Sequence, residues 1–378
     1  MLIPRKLTSQ LKEIAQYFPI ISLTGPRQAG KTTLLRFLFP DYEYVSLENP
    51  DTRAFAQDDP KSFLQRYAQR VIIDEAQKAP DLFSYLQEVV DLDNQPGRYI
   101  LSGSQNFLLH KSISQSLAGR VGILRLFPFT NEELKVTQEE QLSMEATLFK
   151  GFYPRLFDRN IPPTVFYPNY IETYLQRDIQ DLINPGSLSI FYKFLQLCAG
   201  HIGQLVNYSQ IANSIGVNLK TIKSWLSILE QSYTVFQVFP FYNNFNKRLI
   251  KTPKLYFYDT GLACNLLGMK SSRDITTYYQ KGALFENLVI AELVKQKHSK
   301  GERPNFYFWR DSNGNEMDLI EETLDGLHLL EIKATRTLRS KHFKTINKFQ
   351  DWLDEYQTQF YLLYGGDEAP HTRNNNIK

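Results

Sequence analysis

The chain has 378 residues, 43 Lys and Arg against 40 Asp and Glu, and 42% hydrophobic residues. That length is too great for one ordinary core and implies roughly two to three domains, while the net charge of +3 permits nucleic-acid contact without marking a strongly basic binding protein. The only cysteines are Cys198 and Cys264, which excludes a disulfide framework or thiolate zinc site and fits a reducing compartment. The amino terminus lacks an apolar segment ahead of a small-residue cleavage site, and no run reaches the length of a membrane span. A soluble, cytoplasmic protein that does not engage a membrane is expected.

The first element in chain order is the apolar run PIISLTG, read as a buried strand. It leads into GPRQAGKTT at residues 25 to 33 and then KTTLLRFLF, where Leu34, Leu35 and Leu38 recur at helical spacing. Gly25-x-x-x-x-Gly30-Lys31-Thr32 is a phosphate-cradling pattern. It requires this strand, loop and helix order, because the unpaired N–H groups and dipole at a helix N-terminus favour phosphate. Gly25, Pro26, Arg27, Gln28, Ala29, Gly30, Lys31, Thr32 and Thr33 are therefore expected to wrap ATP. Lys31 would reach the β- and γ-phosphates and the Thr32 hydroxyl would coordinate Mg²⁺.

A second strand, in RVIIDEAQ, ends at Asp74, placed to hold the Mg²⁺ shell directly or through water, with Glu75 beside it as the base that polarises the attacking water. In RYILSGSQN, Ser102 or Ser104 emerges from a further apolar strand, able to sense the γ-phosphate or position water. SLAGRVGILRLFPFT then places Arg120 ahead of another strand. That arginine is either a finger reaching a neighbouring subunit's γ-phosphate or a surface partner of an acid.

Residues 1–134 read as the ATPase core and 135–185 as a helical lid or connector, in which Arg155, Arg177 and Asp178 are either nucleotide contacts or structural. Residues 186–270 change character. A helix from Ser209, a turn at Gly216 and a second helix bearing Ile222, Leu226 and Leu229 precede the strand-like runs TVFQVFPF and KLYFYDTG. Helix-turn-helix plus wing is a DNA-binding arrangement, offering Lys220, Thr221, Lys223 and Ser224 on the second helix and Lys247, Arg248, Lys251 and Lys254 near the wing tip. The same module also serves for protein docking.

Residues 271–378 hold a helix carrying Glu286, a strand NFYFWR, and the runs EMDLIEE and LHLLEIKA joined at Asp325-Gly326. Taking Asp325 and Gly326 as the two-residue turn sets Asp318 opposite Lys333 and Glu331 diagonal to Asp318 on one sheet face. Two carboxylates and an ammonium then converge, as metal-dependent phosphodiester cleavage needs and as a solvent-facing salt bridge also provides.

GPRQAGKTT, IIDEAQ, LSGS, LAGR, TYLQRDI, KLYFYDTGLA, GALFENLV and EMDLIE…LEIKA occur in this order over nearly the whole chain. In these motifs the chain resembles the prokaryotic AAA-type predicted ATPases that carry a C-terminal domain of unknown function. The resemblance implies an α/β fold: a P-loop AAA+ ATPase core with a parallel sheet, then a winged-helix domain and a C-terminal α/β restriction-endonuclease-like domain of PD-(D/E)xK type. It maps the nuclease signature to Asp318 and Glu331-x-Lys333, with Glu286 as the helical acid. Glu286, Asp318 and Glu331 would then bind Mg²⁺ or Mn²⁺ while Lys333 assists the attacking water. ATP hydrolysis, DNA as partner and a homo-oligomer formed through the ATPase core follow as expectations. The alternative is a nucleotide-dependent regulatory switch, or a protein-docking ATPase, with an inactive nuclease fold.

Overall fold

The computed structural model describes residues 3–104, 116–136, 142–174, 185–242, 252–311, 314–339 and 357–366. The first sheet is all-parallel, in the order β2-β3-β4-β1-β5. Its strands are β1 (Ile20–Thr24), β2 (Glu43–Ser46), β3 (Val71–Asp74), β4 (Tyr99–Gly103) and β5 (Val121–Arg125). β1, β3 and β4 are buried along their whole length, which is why they read as unbroken apolar runs rather than as alternating ones. Period-two alternation divides them between two cores. Ile20, Val71, Ile73 and Leu101 pack with Phe63, Phe83 and Leu86 on one face, and Ile21, Leu23, Ile72 and Ile100 with Leu11, Leu34 and Leu35 on the other.

A helical layer follows. Helices Met144–Lys150, Pro163–Tyr174, Leu188–Gly200, Tyr208–Ile215, Leu219–Gln231 and Thr260–Leu266 share a core containing Tyr167, Phe191, Phe194, Ile222, Trp225 and Leu229. The expected helix pair is Tyr208–Ile215 and Leu219–Gln231, with Gly216 in left-handed geometry (φ 73°) ending the first and the Asn218 side chain capping the second. β6 (Val235–Pro240) and β7 (Lys254–Phe257) pair antiparallel at the position expected for the wing. Lys247, Arg248 and Lys251 lie outside the described residues. Lys254 does not sit at a wing tip. It opens β7, the edge strand of a larger sheet, whose four residues are all buried, and is itself only 2% exposed, its ammonium paired with Glu286 and Glu316.

That larger sheet adds β8 (Phe306–Arg310), β9 (Glu316–Thr323), β10 (Gly326–Lys333) and β11 (Thr358–Tyr364), in the order β11-β10-β9-β8-β6-β7. β6 pairs with β8 through Phe239–Tyr307 and Pro240–Phe308, so hydrogen bonding continues from β6 and β7 into the strands beyond residue 270. Helix Lys281–Ser299 covers one face, packing Phe285, Ile290 and Val294 on Phe308, Leu319 and Ile332 in a core that also takes in Phe127, two residues past β5. Among the described residues, no helix is long and apolar enough to cross a membrane.

The β9–β10 register differs from the sequence expectation. Thr323 pairs with Gly326 and Leu319 with Leu330, leaving Leu324 and Asp325 as the loop. Gly326 is needed for another reason: its φ is 132° and a Cβ there would lie 2.1 Å from the Gln357 carbonyl oxygen. Carried one step further, this register sets Asp318 level with Glu331 rather than with Lys333.

Candidate functional site

The carboxyl ends of β1, β3 and β4 lie side by side, with Asp74 beside Ser102 and Thr24 beside Gly103. Ligands of open parallel sheets bind at this edge. Gly25 (φ 148°), Gln28 (φ 59°) and Gly30 (φ 92°) curl the loop in conformations that L side chains seldom adopt. At Gly25 a Cβ would stand 2.0 Å from the Leu126 carbonyl oxygen, so the loop can pass only without a side chain. Helix Lys31–Leu38 begins directly after Gly30, presenting its first N–H groups to the concave side. The Lys31 ammonium folds over the loop and donates to the carbonyls of Gly25 (2.8 Å) and Pro26 (2.9 Å). Ala29 is buried, Arg27 partly so, and Thr33 is exposed.

Asp74 is held by hydroxyls. Thr32 Oγ1 donates to its Oδ2 at 2.9 Å, the Tyr44 hydroxyl to the same oxygen at 2.8 Å, and the Ser102 hydroxyl to Oδ1. Glu75 has left-handed backbone geometry (φ 54°) and accepts from the Ser104 hydroxyl at 3.3 Å and from the Gln77 amide. Ser102 and Ser104 thus divide the two acids between them. Gly103, between the serines, leaves room for Gln77, whose Oε1 would be 2.3 Å from a Cβ. The hard-oxygen pair Thr32 and Asp74 fits Mg²⁺, and the Gly-rich loop ahead of a helix fits the phosphates of a nucleotide.

Arg120 occupies the second of its two expected places. Its Nε and Nη2 pair with Asp91 at 2.5 and 2.9 Å, on the amino-terminal edge of β5, opposite the phosphate loop. Arg155 is exposed, and Arg177 and Asp178 lie outside the described residues.

Four contacts missing from the sequence reading tie this edge to the rest of the chain. Tyr233, between the second helix of the pair and β6, hydrogen-bonds the Thr24 hydroxyl at 2.7 Å, one residue before the loop. Phe127 stacks on Tyr258 at 4.4 Å, and Lys295 donates to the Phe129 carbonyl at 2.8 Å. Arg5 donates to the loop carbonyl of Ala29 at 2.8 Å. No pattern marks any of the four in the sequence, since each joins residues that only folding brings together.

The C-terminal acids form a second centre. Lys333 Nζ lies 3.3 Å from Asp318 Oδ2 and 2.6 Å from Glu331 Oε1, so these three do converge, through the corrected register. The Ile332 N–H also donates to Asp318 Oδ2, at 2.7 Å. Glu286 is engaged elsewhere. It accepts from Lys254 Nζ at 3.0 Å and the Tyr256 hydroxyl at 2.6 Å, and Lys254 also pairs with Glu316. Burial pushes Glu331 up to about 7 despite Lys333, and burial likewise raises Glu286 against the pull of Lys254. Burial alone would lower Lys254, but Glu286, Glu316 and Asp318 together lift it. Glu331 Oε2 is buried without a hydrogen-bond partner among the described residues. Even so, no group of three or more His, Cys, Asp or Glu among the described residues stands at metal-holding spacing. Glu286, Asp318 and Glu331 do not meet at such spacing: Lys333 pairs with Asp318 and Glu331, while Glu286 pairs with Lys254.

Family models match the chain in three consecutive stretches: an AAA domain over residues 17–135, a domain of unknown function (DUF8612) over 141–273 and a domain of unknown function (DUF4143) over 281–378. The uncharacterized proteins Mb2031c of Mycobacterium bovis and Rv2008c of Mycobacterium tuberculosis are each 32% identical over 343 residues, covering 89% of this chain and 75% of theirs. Among solved structures, the Walker-type ATPase PABY2304 of Pyrococcus abyssi aligns at 15% identity over 70% of this chain and 96% of its own, with a TM-score of 0.47.

Proposed function

The chain belongs to the family of Mb2031c and Rv2008c and carries an AAA-type P-loop ATPase domain, and from that premise we propose an ATPase whose nucleotide cycle repositions a winged-helix module and a nuclease-like module on DNA. The observation that carries the ATPase half is the gathering of Thr32, Asp74 and Ser102, from three separate segments, into one hydrogen-bonded set beside the loop. Mg²⁺, when bound, neutralises charge on the transferred phosphate. Thr32 and Asp74 hold its shell, Lys31 binds the terminal phosphates, and Glu75, oriented by Ser104 and Gln77, positions the attacking water. The matching test is Glu75→Gln. Nucleotide binding should persist while turnover falls about 100-fold or more. Turnover equal to the parent's would remove Glu75 from the chemistry.

The DNA half is supported by Lys220, Lys223 and Ser224, all exposed on the second helix of the pair, whose opposite side is buried through Ile222, Trp225 and Leu226. Replacing Lys220 and Lys223 with Gln should weaken duplex binding and lower the steepness of its salt dependence by about one unit for each phosphate no longer neutralised. A salt dependence identical to the parent's would take DNA off this helix.

The pairing of Lys254 with Glu286, the expected helical acid, favours a second reading for the last module, an inactive nuclease fold in a nucleotide-driven switch. Plasmid nicking with Mn²⁺ in a Lys31→Ala background separates the two. Nicking that Asp318→Ala abolishes supports an active centre, and its absence supports the switch.

A further inference from the structure

The Arg5 side chain, 8% exposed, lies just ahead of helix Thr8–Ile14 and reaches groups 24 to 128 residues away in sequence. Its guanidinium donates to the Ala29 carbonyl at 2.8 Å, the Phe127 carbonyl at 2.5 Å and Glu133 Oε1 at 3.2 Å, and lies 4.7 Å above the Phe129 ring. Glu133 would be satisfied without it, accepting from the backbone N–H groups of Lys6 (2.8 Å) and Thr130 (2.9 Å) in the capping box of helix Asn131–Lys135. The contact with Ala29 is the unusual one, because it fixes a carbonyl of the phosphate loop from outside. In a trans peptide the carbonyl oxygen and the following N–H point in opposite directions. With the Ala29 oxygen turned toward Arg5, the Gly30 N–H points away from Arg5, one residue ahead of the first free N–H groups of helix Lys31–Leu38. Gly30 alone cannot supply this constraint, since a glycine peptide rotates readily.

We propose that Arg5 is a positioning residue for nucleotide binding: by clamping the Ala29 carbonyl it aims the Gly30 N–H at the phosphate. The inference rests on reading residues 25–33 as the phosphate site, and it assigns Arg5 a role that depends on phosphate and not on the base.

The experiment measures affinity for ADP and for adenosine, with thermal unfolding, in the full chain and in Arg5→Met, Arg5→Lys, Glu133→Gln and Lys31→Ala. Arg5→Met should lose about tenfold or more in ADP affinity, the worth of a charge-assisted hydrogen bond, and leave adenosine unaffected. Arg5→Lys keeps a donor and should recover part of the loss. Glu133→Gln, which breaks the same ion pair but not the Ala29 contact, should unfold at lower temperature with ADP affinity intact. Equal losses for ADP and adenosine, or an equal ADP loss in Glu133→Gln, would reduce Arg5 to a structural residue. Should Arg5→Met not fold, a Lys variant with unchanged ADP affinity overturns the proposal. Loss of ADP in Lys31→Ala but in neither Arg5 variant rejects Arg5 alone, whereas a parent chain that binds no ADP rejects the phosphate site itself.

Discussion

Two acidic centres lie in this chain, and they are held by opposite means. At the edge of the first sheet, Asp74 and Glu75 are oriented by the hydroxyls of Thr32, Tyr44, Ser102 and Ser104 and an amide from Gln77. At the second sheet and the helix that covers it, Glu316, Asp318 and Glu331 on strands and Glu286 on the helix are bridged by the ammonium groups of Lys254 and Lys333. Neutral donors fix a carboxylate's direction without cancelling its charge, so the first centre keeps its attraction for a cation. Lysines do both, and an arriving cation must compete with them. The first centre therefore offers an arriving cation carboxylates oriented by neutral donors, whereas at the second two lysines already offset part of the charge of four carboxylates.

The largest test of that contrast is Lys31→Ala. It should abolish measurable ATP binding, seen by calorimetry, while the fold persists, because the Lys31 ammonium donates to the carbonyls of the loop itself, at Gly25 and Pro26. The mirror change in the other centre is Lys254→Met, which strands Glu286 and Glu316 without their shared partner. It should lower unfolding free energy by about 3–5 kcal/mol in denaturant titrations. If Lys254→Met is neutral, the second centre is not held together by its lysines.

A smaller effect comes from the interface between the two centres. His298 packs 5.0 Å from the Phe127 ring, and burial, aided by Arg125, pulls it down from 6.5 to about 3. The folded state keeps it neutral while the unfolded chain protonates it, so its contribution is complete above about pH 6.5 and is lost as pH falls toward 3. His298→Phe should accordingly lose less thermal stability than the parent on going from pH 7 to pH 5. Equal losses would place the acid sensitivity elsewhere. Least of all should come from Arg120→Ala, whose exposed pair with Asp91 is open to solvent and salt. Its melting temperature should hardly move. Loss of ATP turnover without loss of stability would instead return Arg120 to the role of a finger supplied to a neighbouring subunit.

The register of β9 and β10 shows how far pattern reading reaches. The expected turn at Asp325-Gly326 and the observed loop Leu324-Asp325 differ by two in the sum of paired numbers, and a shift of two keeps every side chain on its face. Asp318, Glu331 and Lys333 are for that reason legible as neighbours although their pairing is not. Lys254 is misplaced by pattern for the complementary reason. A lysine in KLYFYDTG looks like a solvated strand end, and its burial is set by β6, by Glu286 on a helix 32 residues later and by Glu316 on β9.

What the sequence determined by itself is the part whose physics is local. A strand, a Gly-rich turn and a helix start follow one another in residues 20–38, and the backbone donors that make the loop a phosphate cradle are contiguous there. Asp74 and Glu75 likewise end a strand that its own apolar run specifies. Tertiary structure alone decided which groups orient those residues: Tyr44 and Ser102 on Asp74, Arg5 on Ala29, Tyr233 on Thr24, Lys254 on Glu286. Each pair is separated by between 24 and 209 residues. Hydrophobic periodicity states which face of an element is buried, but not what it is buried against, so a hydrogen bond between distant elements leaves no periodic trace in the chain.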